Sequence, residues 1–147
     1  MITLYTIGFT KKSAERFFTL LRDNHVKQLV DVRISNSSQL AGFAKGKDLE
    51  FFVKEICHIP YKHISDFAPT KELLDQWHKQ EVSWDEYQII YTEMLMERGI
   101  IRKYGVKCFE GSCFLCSEDT PEQCHRRLLA EYMKKHSEEL VQIIHLI

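Results

Sequence analysis

Short apolar runs that suit β-strands alternate along the chain with segments whose apolar residues recur at helical spacing. Strands are predicted over 2–7, 28–34, 60–64, 113–116 and 140–147. Strands that alternate with helices in this way are typical of βαβ units, in which the strands run parallel. The pattern therefore predicts an α/β fold, with a mainly parallel sheet of about five strands and helices on both of its faces.

Helix signals fall between the predicted strands. Ser13 and Thr70 each stand at an N-cap position in front of an apolar stripe, and Ser83-Trp84-Asp85-Glu86 matches a capping box. A helix is also predicted over 48–57, where the apolar side consists of Leu49, Phe52, Val53 and Ile56. Because no repeat, low-complexity tract or linker interrupts this order, residues 1–147 are expected to form a single domain.

Composition narrows the functional classes. Of the 147 residues, 44% are hydrophobic and 28% are charged, which is ordinary for a globular protein. The formal net charge is −1, whereas proteins that coat a duplex usually carry a basic excess that neutralises phosphates. The balance therefore argues against broad nucleic-acid binding, and it leaves room for a local pocket that binds a small anion.

The number of cysteines and the first residues of the chain indicate the cellular compartment of the protein. The chain has five cysteines, an odd number, and it begins with an apolar run that no charged leader segment precedes. Such usage suits a reducing compartment better than a disulfide framework. No apolar stretch reaches the length of a membrane span. The sequence therefore predicts a cytoplasmic protein with no membrane partner and no cofactor.

Three of the predicted strands end in segments that hold the candidates for a site: Gly8-Phe9-Thr10, Asp31-Val32-Arg33 and Cys116-Ser117-Glu118. In parallel α/β sheets, ligands bind beyond the carboxyl ends of the strands. Alternating side chains place Asp31 and Arg33 on one face of their strand. Two interpretations of this pair stay open, namely a structural ion pair and an anion-binding arginine that its neighbour holds in place.

The richest segment is the turn from the strand that ends at Cys116 into a helix predicted over 121–136. Asp119 or Thr120 is expected to cap this helix, with Pro121 at its first position. A helix N-terminus directly after a strand offers free N–H groups and a positive dipole end, which together favour an anion.

Helical geometry ranks the side chains of this predicted helix. The stripe that faces the sheet consists of Leu128, Leu129, Tyr132 and Met133. His125 falls near the middle of that stripe, and Arg126 and Cys124 fall on its flanks. Arg127 points away and is expected to be a surface charge.

Each leading candidate also has a structural interpretation. His125 fits a hydrogen-bonded core histidine as well as a proton carrier. Arg126 fits a salt bridge to Glu118 or Asp31, which is compatible with a binding role. Cys116 fits either a small buried side chain or a thiolate whose pKa is lowered by a helix N-terminus and arginines.

Spacing argues against two more specific sites. A zinc site would use Cys113, Cys116, Cys124 and His125, but the first two point to opposite faces of a strand and the last two are adjacent on a helix. A cysteine phosphatase loop fits poorly, because Arg126 comes ten residues after Cys116 and the turn between them is acidic and lacks glycine. No metal site is therefore predicted.

A polar loop over 35–47 leaves the same edge of the sheet, and Lys45 and Lys47 lie near its end. Its length and polarity fit a lid over the site. A surface loop without that role has the same composition, so both interpretations stay open.

The assembled motifs resemble the bacterial and archaeal family called domain of unknown function 488. The resemblance covers nearly the whole chain and is carried by Thr6-Ile7-Gly8, Val30-Asp31-Val32-Arg33, Cys116-Ser117-Glu118 and Cys124-His125-Arg126. Ser38-Gln39-Leu40-Ala41-Gly42-Phe43 and Ala68-Pro69-Thr70 are similar to one subgroup. The resemblance implies a Rossmann-like three-layer sandwich and no particular reaction. Many members have a histidine after Thr-Ile-Gly, whereas this chain has Phe9.

The leading functional hypothesis is an enzyme that acts on a small anionic substrate, for which a nucleotide is one candidate class. The residues expected to bind the anion are Arg33, Arg126, Gly8 and Cys116. The residues expected to transfer protons are His125, Glu118 and Asp31. The alternative is a non-catalytic module that binds or senses a nucleotide or a nucleic acid, with Lys45 and Lys47 as further contacts. A third hypothesis is a redox or metal protein built on the cysteines.

Overall fold

The predicted strands form one parallel sheet in the computed structural model, which describes residues 1–37 and 42–147. The strands are β1 (Ile2–Gly8), β2 (Gln28–Asp31), β3 (Tyr61–His63), β4 (Ser112–Cys116) and β5 (Val141–Leu146). Within the described ranges they lie in the order β3-β2-β4-β1-β5, and every pairing is parallel.

Helices connect the strands. They are α1 (Ala14–Asp23), α2 (Gly46–Phe52), α3 (Lys71–His78), α4 (Trp84–Glu97), α5 (Ile100–Tyr104) and α6 (His125–Lys135). Ser13, Thr70 and Ser83 accept hydrogen bonds from the first turns of α1, α3 and α4, so the predicted caps are confirmed. No described helix is long and apolar enough to cross a membrane.

The helices form two layers, one on each face of the sheet. Phe17, Phe18 and Leu21 of α1 and Leu49 of α2 pack against one face of the sheet. Residues of α3, α4, α5 and α6 pack against the other face, including Leu73, Tyr91, Ile100 and Leu129. The fold is therefore the predicted three-layer α/β sandwich.

Strand β2 and helix α2 differ from the prediction, and each difference has a local cause. Strand β2 ends at Asp31 rather than at residue 34, because the Asp31 carboxylate accepts the backbone N–H of Arg33 and turns the chain out of the sheet. Helix α2 widens into a π-helical turn over Val53–Cys57. The wider turn changes the helical register, and Ile56 is 39% exposed although it was predicted on the apolar side.

Strands β2 and β4 are paired, but the connections that follow them run in opposite directions. The chain leaves β2 through α2 towards β3 at one edge, and it leaves β4 through α6 towards β5 at the other edge. Helices α2 and α6 also lie on opposite faces. The two connections therefore diverge at the carboxyl ends of β2 and β4, where a parallel sheet of this kind forms a binding crevice.

Candidate functional site

A cleft of about 560 Å³ lies at the carboxyl ends of β2 and β4. This volume is within the usual range for sites that bind small molecules. Its walls come from the segments that follow the two strands, from α3, and from the start of α6. The charged, aromatic and sulfur-containing side chains that line it include Arg33, Trp77, Tyr87, Cys116, Glu118 and His125.

Asp31 and Arg33 form a buried ion pair at the end of β2. Arg33 Nε lies 2.8 Å from Asp31 Oδ1, and Arg33 Nη2 lies 2.6 Å from Asp31 Oδ2. Oδ2 also accepts the Tyr61 hydroxyl at 2.6 Å. Asp31 is fully buried and both of its oxygens are occupied by donors. This arrangement suits a residue that positions Arg33 better than one that carries a proton.

The Arg33 guanidinium is held by several contacts, and one of its nitrogen atoms has no hydrogen-bond partner among the described residues. Its Nη2 atom also donates to the Ala44 carbonyl at 2.8 Å, and its Cζ atom lies 5.2 Å from the centre of the Phe9 ring. Burial disfavours the charge, but the hydrogen bond and charge of Asp31 raise the Arg33 pKa above its ordinary value. Arg33 Nη1 is buried and has no hydrogen-bond partner among the described residues.

Arg126 and Gly8 lie outside the lining of the cleft and hold the loop that follows β4. Arg126 is fully buried, and its Nη1 atom donates to the Glu118 carbonyl at 2.6 Å. A Cβ atom at Gly8 would overlap the same carbonyl oxygen, so this close approach requires glycine. The Glu118 side chain is exposed and does line the cleft. The structure thus separates Arg126 and Gly8 from the cleft and brings Arg33, Cys116, Glu118 and His125 together.

His125 lies between β2 and β4 in a defined orientation. Its Nε2 atom is 2.7 Å from the Val32 carbonyl oxygen, which can only accept, so Nε2 is the donor in this hydrogen bond. Cys116 Sγ lies 3.6 Å from Nδ1 and 3.8 Å from Nε2. The Tyr91 ring packs edge-on against the imidazole. His125 therefore faces the sheet, where helical geometry predicted it.

Helix α6 begins at His125, so the predicted start at Pro121 with a cap at Asp119 or Thr120 is wrong. The preceding segment is instead a loop whose carbonyl groups have other partners. The N–H of Thr10 donates to the Ser117 carbonyl at 3.1 Å. Arg126 donates to the Glu118 carbonyl and Arg127 to the carbonyls of Pro121 and Glu122, and these hydrogen bonds favour a loop in this segment.

Arg127 contributes to the same loop, although it was predicted to be a surface charge. Its guanidinium donates to the Pro121 carbonyl at 3.3 Å and to the Glu122 carbonyl at 2.9 Å. It also pairs with Glu131 at 3.0 Å, and its side chain is 23% exposed. Arg127 therefore helps to shape the approach to α6.

The later start of α6 changes the position of Cys124. Cys124 is the N-cap residue with extended dihedral angles, φ −136° and ψ 140°, rather than a residue within the helix. As a result, the ligand atoms of Cys116, Cys124 and His125 all lie within 4.8 Å of one another. We call these three buried residues the Cys-Cys-His cluster. Cys113 packs on the opposite face of the sheet, as strand alternation predicted.

The two thiols of the Cys-Cys-His cluster differ in their ionisation. The hydrogen bond to Cys124, together with burial, raises the pKa of the Cys116 thiol. Burial also opposes ionisation of Cys124, but hydrogen bonds from Cys116 and His125 and the charges of His125 and Arg126 bring its pKa well below the ordinary value. Cys124 is therefore the more readily ionised of the two thiols.

The wall that α3 contributes was not predicted from the sequence. Lys71, Trp77 and His78 of this helix line the cleft. The helix is placed by Arg98, whose Nη1 atom donates at 2.7 Å to the carbonyls of Asp66 and Ala68. The Ala68-Pro69-Thr70 motif directly before α3 was the available signal for this wall.

The loop predicted as a lid is described only in part. Ser38, Gln39, Leu40 and Ala41, which include most of the subgroup motif, lie outside the described residues. Lys45 and Lys47 line a separate surface depression together with Asn36, and not the cleft. The lid function stays a prediction.

Comparison with known proteins identifies a family. No curated protein matches the chain at a significant level, and no solved structure does so either. The profile of one family, "Domain of unknown function DUF488", matches residues 13–133. The matched range includes the ion pair of Asp31 and Arg33 and the whole Cys-Cys-His cluster, and Gly8 precedes it. The chain therefore belongs to the DUF488 family, as its motifs predicted.

Proposed function

We propose that this protein is an enzyme that binds a small anionic substrate of the nucleotide class in the cleft between the ends of β2 and β4. The observation that carries the proposal is the buried Arg33 Nη1 atom, which lacks a partner among the described residues while the rest of the guanidinium is fixed. A buried donor without a partner is costly, and Arg33 lines the cleft, so an anionic oxygen bound beside its guanidinium is the partner that we propose.

The remaining walls suit the other parts of a nucleotide. Trp77 lines the cleft and is partly exposed, and planar bases stack on such aromatic side chains. Lys71 lines the same cleft and supplies a second positive charge. A charged end and an aromatic surface therefore lie within one cavity.

The proposal revises the roles first assigned to the motif residues. Of the two motif arginines, Arg33 binds the anion, because Arg126 does not line the cleft and its two Nη atoms donate to loop carbonyls. Asp31 positions Arg33, and Glu118 is the carboxylate next to Cys116 that is exposed in the cleft for proton transfer. The Cys-Cys-His cluster forms the reactive centre.

The proposal is tested by titrating the protein with inorganic phosphate and with nucleoside 5′-monophosphates in a calorimeter. Arg33→Lys keeps a positive charge beside Asp31 but removes the planar fork, so we expect phosphate affinity to fall by about tenfold or more. Lys79→Ala is the matched control, because Lys79 ends α3 in an exposed position and does not line the cleft. Unchanged affinity in a folded Arg33→Lys protein would overturn the proposal.

The alternative of a non-catalytic nucleic-acid module gives a different result in the same assay. Binding of an oligonucleotide that weakens steeply with salt, over several phosphate charges, would support that alternative. Binding of a mononucleotide with a shallow salt dependence, lost in Arg33→Lys, supports a small-ligand site in the cleft. Release of a hydrolysis product from the bound compound would distinguish the enzyme from a module that only senses a nucleotide.

A further inference from the structure

We infer that Cys116, Cys124 and His125 form a binding site for a zinc ion, with three protein ligands and a fourth position that opens into the cleft. Two thiolates and one imidazole are a donor set that zinc takes in proteins. The three residues come from the end of β4 and the start of α6, so the fold brings them together without any other element.

The separations within the cluster fit tetrahedral coordination. Zn–S bonds of about 2.3 Å and Zn–N bonds of about 2.0 to 2.1 Å place a sulfur and a nitrogen ligand roughly 3.6 Å apart. The Sγ atom of Cys116 lies 3.6 Å from Nδ1 of His125. All three ligand atoms lie within 4.8 Å of one another, so small side-chain rotations suffice to close the site.

The orientation of His125 is that of a metal ligand. A histidine that binds a metal usually donates its other ring N–H to a carbonyl or carboxylate, which fixes the tautomer and the ring plane. Here Nε2 donates to the Val32 carbonyl at 2.7 Å. Nδ1 is therefore the ring nitrogen that would bind the ion, and Cys116 Sγ lies 3.6 Å from it.

Burial and access also fit a zinc ion that takes part in a reaction. Cys116, Cys124 and His125 are 6%, 3% and 5% exposed, and all three line the cleft. Two thiolates neutralise the charge of the ion, as is usual for charges that are buried in proteins. Catalytic zinc sites have three protein ligands and hold water at the fourth position, whereas structural sites have four protein ligands.

The role of the ion rests on the proposed function, whereas metal binding itself does not. Zinc lowers the pKa of a bound water molecule. A zinc ion at the cluster would supply a water nucleophile for hydrolysis of a substrate that Arg33 holds. Glu118, which lines the cleft, would carry the proton from that water to the leaving group, so the net reaction would consume one water molecule.

Metal analysis of the protein tests the site. The full chain is produced in zinc-supplemented medium with a tag that does not bind metal, and it is purified under reducing conditions. We expect one zinc ion per chain, and loss of that ion to background in Cys116→Ser, Cys124→Ser and His125→Gln. Cys108→Ser is the matched control and should keep its zinc, because Cys108 is exposed and outside the cluster.

A second measurement does not depend on variants that fold poorly. Cobalt(II) exchanged into the wild-type protein should give thiolate-to-metal charge-transfer bands and the visible bands of tetrahedral coordination. Wild-type protein that binds neither ion, or a Cys116–Cys124 disulfide in protein purified without oxygen, would overturn the site.

The two proposals fail in distinguishable ways. Zinc at the cluster of a protein that binds neither phosphate nor nucleotides would uphold the metal site and reject the proposed function. Phosphate binding that depends on Arg33, in wild-type protein that takes up no zinc or cobalt, would do the reverse.

Discussion

The guanidinium of Arg33 lies over the ring of Phe9, with 5.2 Å between Cζ and the ring centre. Phe9 is the residue that follows the Thr-Ile-Gly segment of β1, and it is 1% exposed. One face of the guanidinium is therefore supported by an aromatic ring while its edge is held by Asp31. This combination fixes the direction in which the remaining N–H groups point.

Replacing Phe9 by leucine should weaken anion binding. The change keeps most of the apolar volume but removes the cation–π contact, which contributes about 0.5 to 2 kcal/mol. We expect phosphate affinity to fall by about threefold or more, as measured by calorimetry. Phe17→Leu, in the same core cluster, is the control and should lower stability without affecting binding. Equal phosphate affinities in Phe9→Leu and wild-type protein would show that the Phe9 ring does not contribute to anion binding by Arg33.

The ion pair of Asp31 and Arg33 should be costly to break. Asp31→Asn leaves a buried guanidinium without its counter-charge, and we expect the free energy of unfolding to fall by about 3 to 5 kcal/mol. Asp23→Asn is the comparison, because Asp23 forms an exposed pair with Arg22 and should cost no more than about 1 kcal/mol. Urea denaturation measures both, and similar losses in the two variants would contradict the prediction.

The close approach of β1 to the loop after β4 predicts a strong effect of a single methyl group. Gly8→Ala forces a Cβ atom into the Glu118 carbonyl, so either the strand or the loop must move. We expect a loss of stability of about 1 to 3 kcal/mol or more. At Gly42 a Cβ atom meets no described atom within 4 Å, so Gly42→Ala should be nearly neutral. A thermal melt of each variant distinguishes the two outcomes.

Acid should weaken the attachment of this loop to the start of α1. The hydrogen bond from Lys12, at 3.0 Å, lowers the pKa of Asp119, and the charges of Lys12, Lys11 and Arg126 act in the same direction. The folded pKa is below the unfolded value of about 3.9, so the pair stabilises the folded state above that pH. The contribution is lost as pH falls through the folded pKa.

Asp119→Asn tests this pH dependence. Wild-type protein should be more stable than the variant at neutral pH, by up to about 1 kcal/mol because the carboxylate is partly exposed. The difference should shrink below about pH 3.9. A difference that stays constant through that range would show that the charge of Asp119 does not contribute.

Local signals explain why most of the fold could be predicted. The caps at Ser13, Thr70 and Ser83 depend on neighbouring residues only, and all three are confirmed. The stripe after His125 was also predicted correctly, because its period is a property of the helix itself. Helix α5 carries no cap of this kind, since a glycine with positive φ precedes it, and it was not predicted.

The arrangement of the site depends on distant contacts that a local pattern does not contain. Pro121 suits the first position of a helix, but Arg126 and Arg127 bind the carbonyls of that segment and hold it in a loop. The shift of the helix start to His125 is what turns Cys124 towards Cys116. If the helix began at residue 121, Cys124 and His125 would be adjacent on its surface, which argues against a metal site. Only the tertiary structure brings the three ligands together.

The central place of β4 in the sheet has a consequence for how the protein folds. Strand β4 lies between β2 and β1, and its pairing with β2 joins Gln28 to Ser112 across 84 residues of sequence. A nascent chain that has emerged only as far as α5 holds β1 and the β2–β3 pair without β4, the strand that joins them. Closing so long a loop is slow. We therefore expect the cleft to arise late and in one event, at the moment when β4 inserts and completes the sheet.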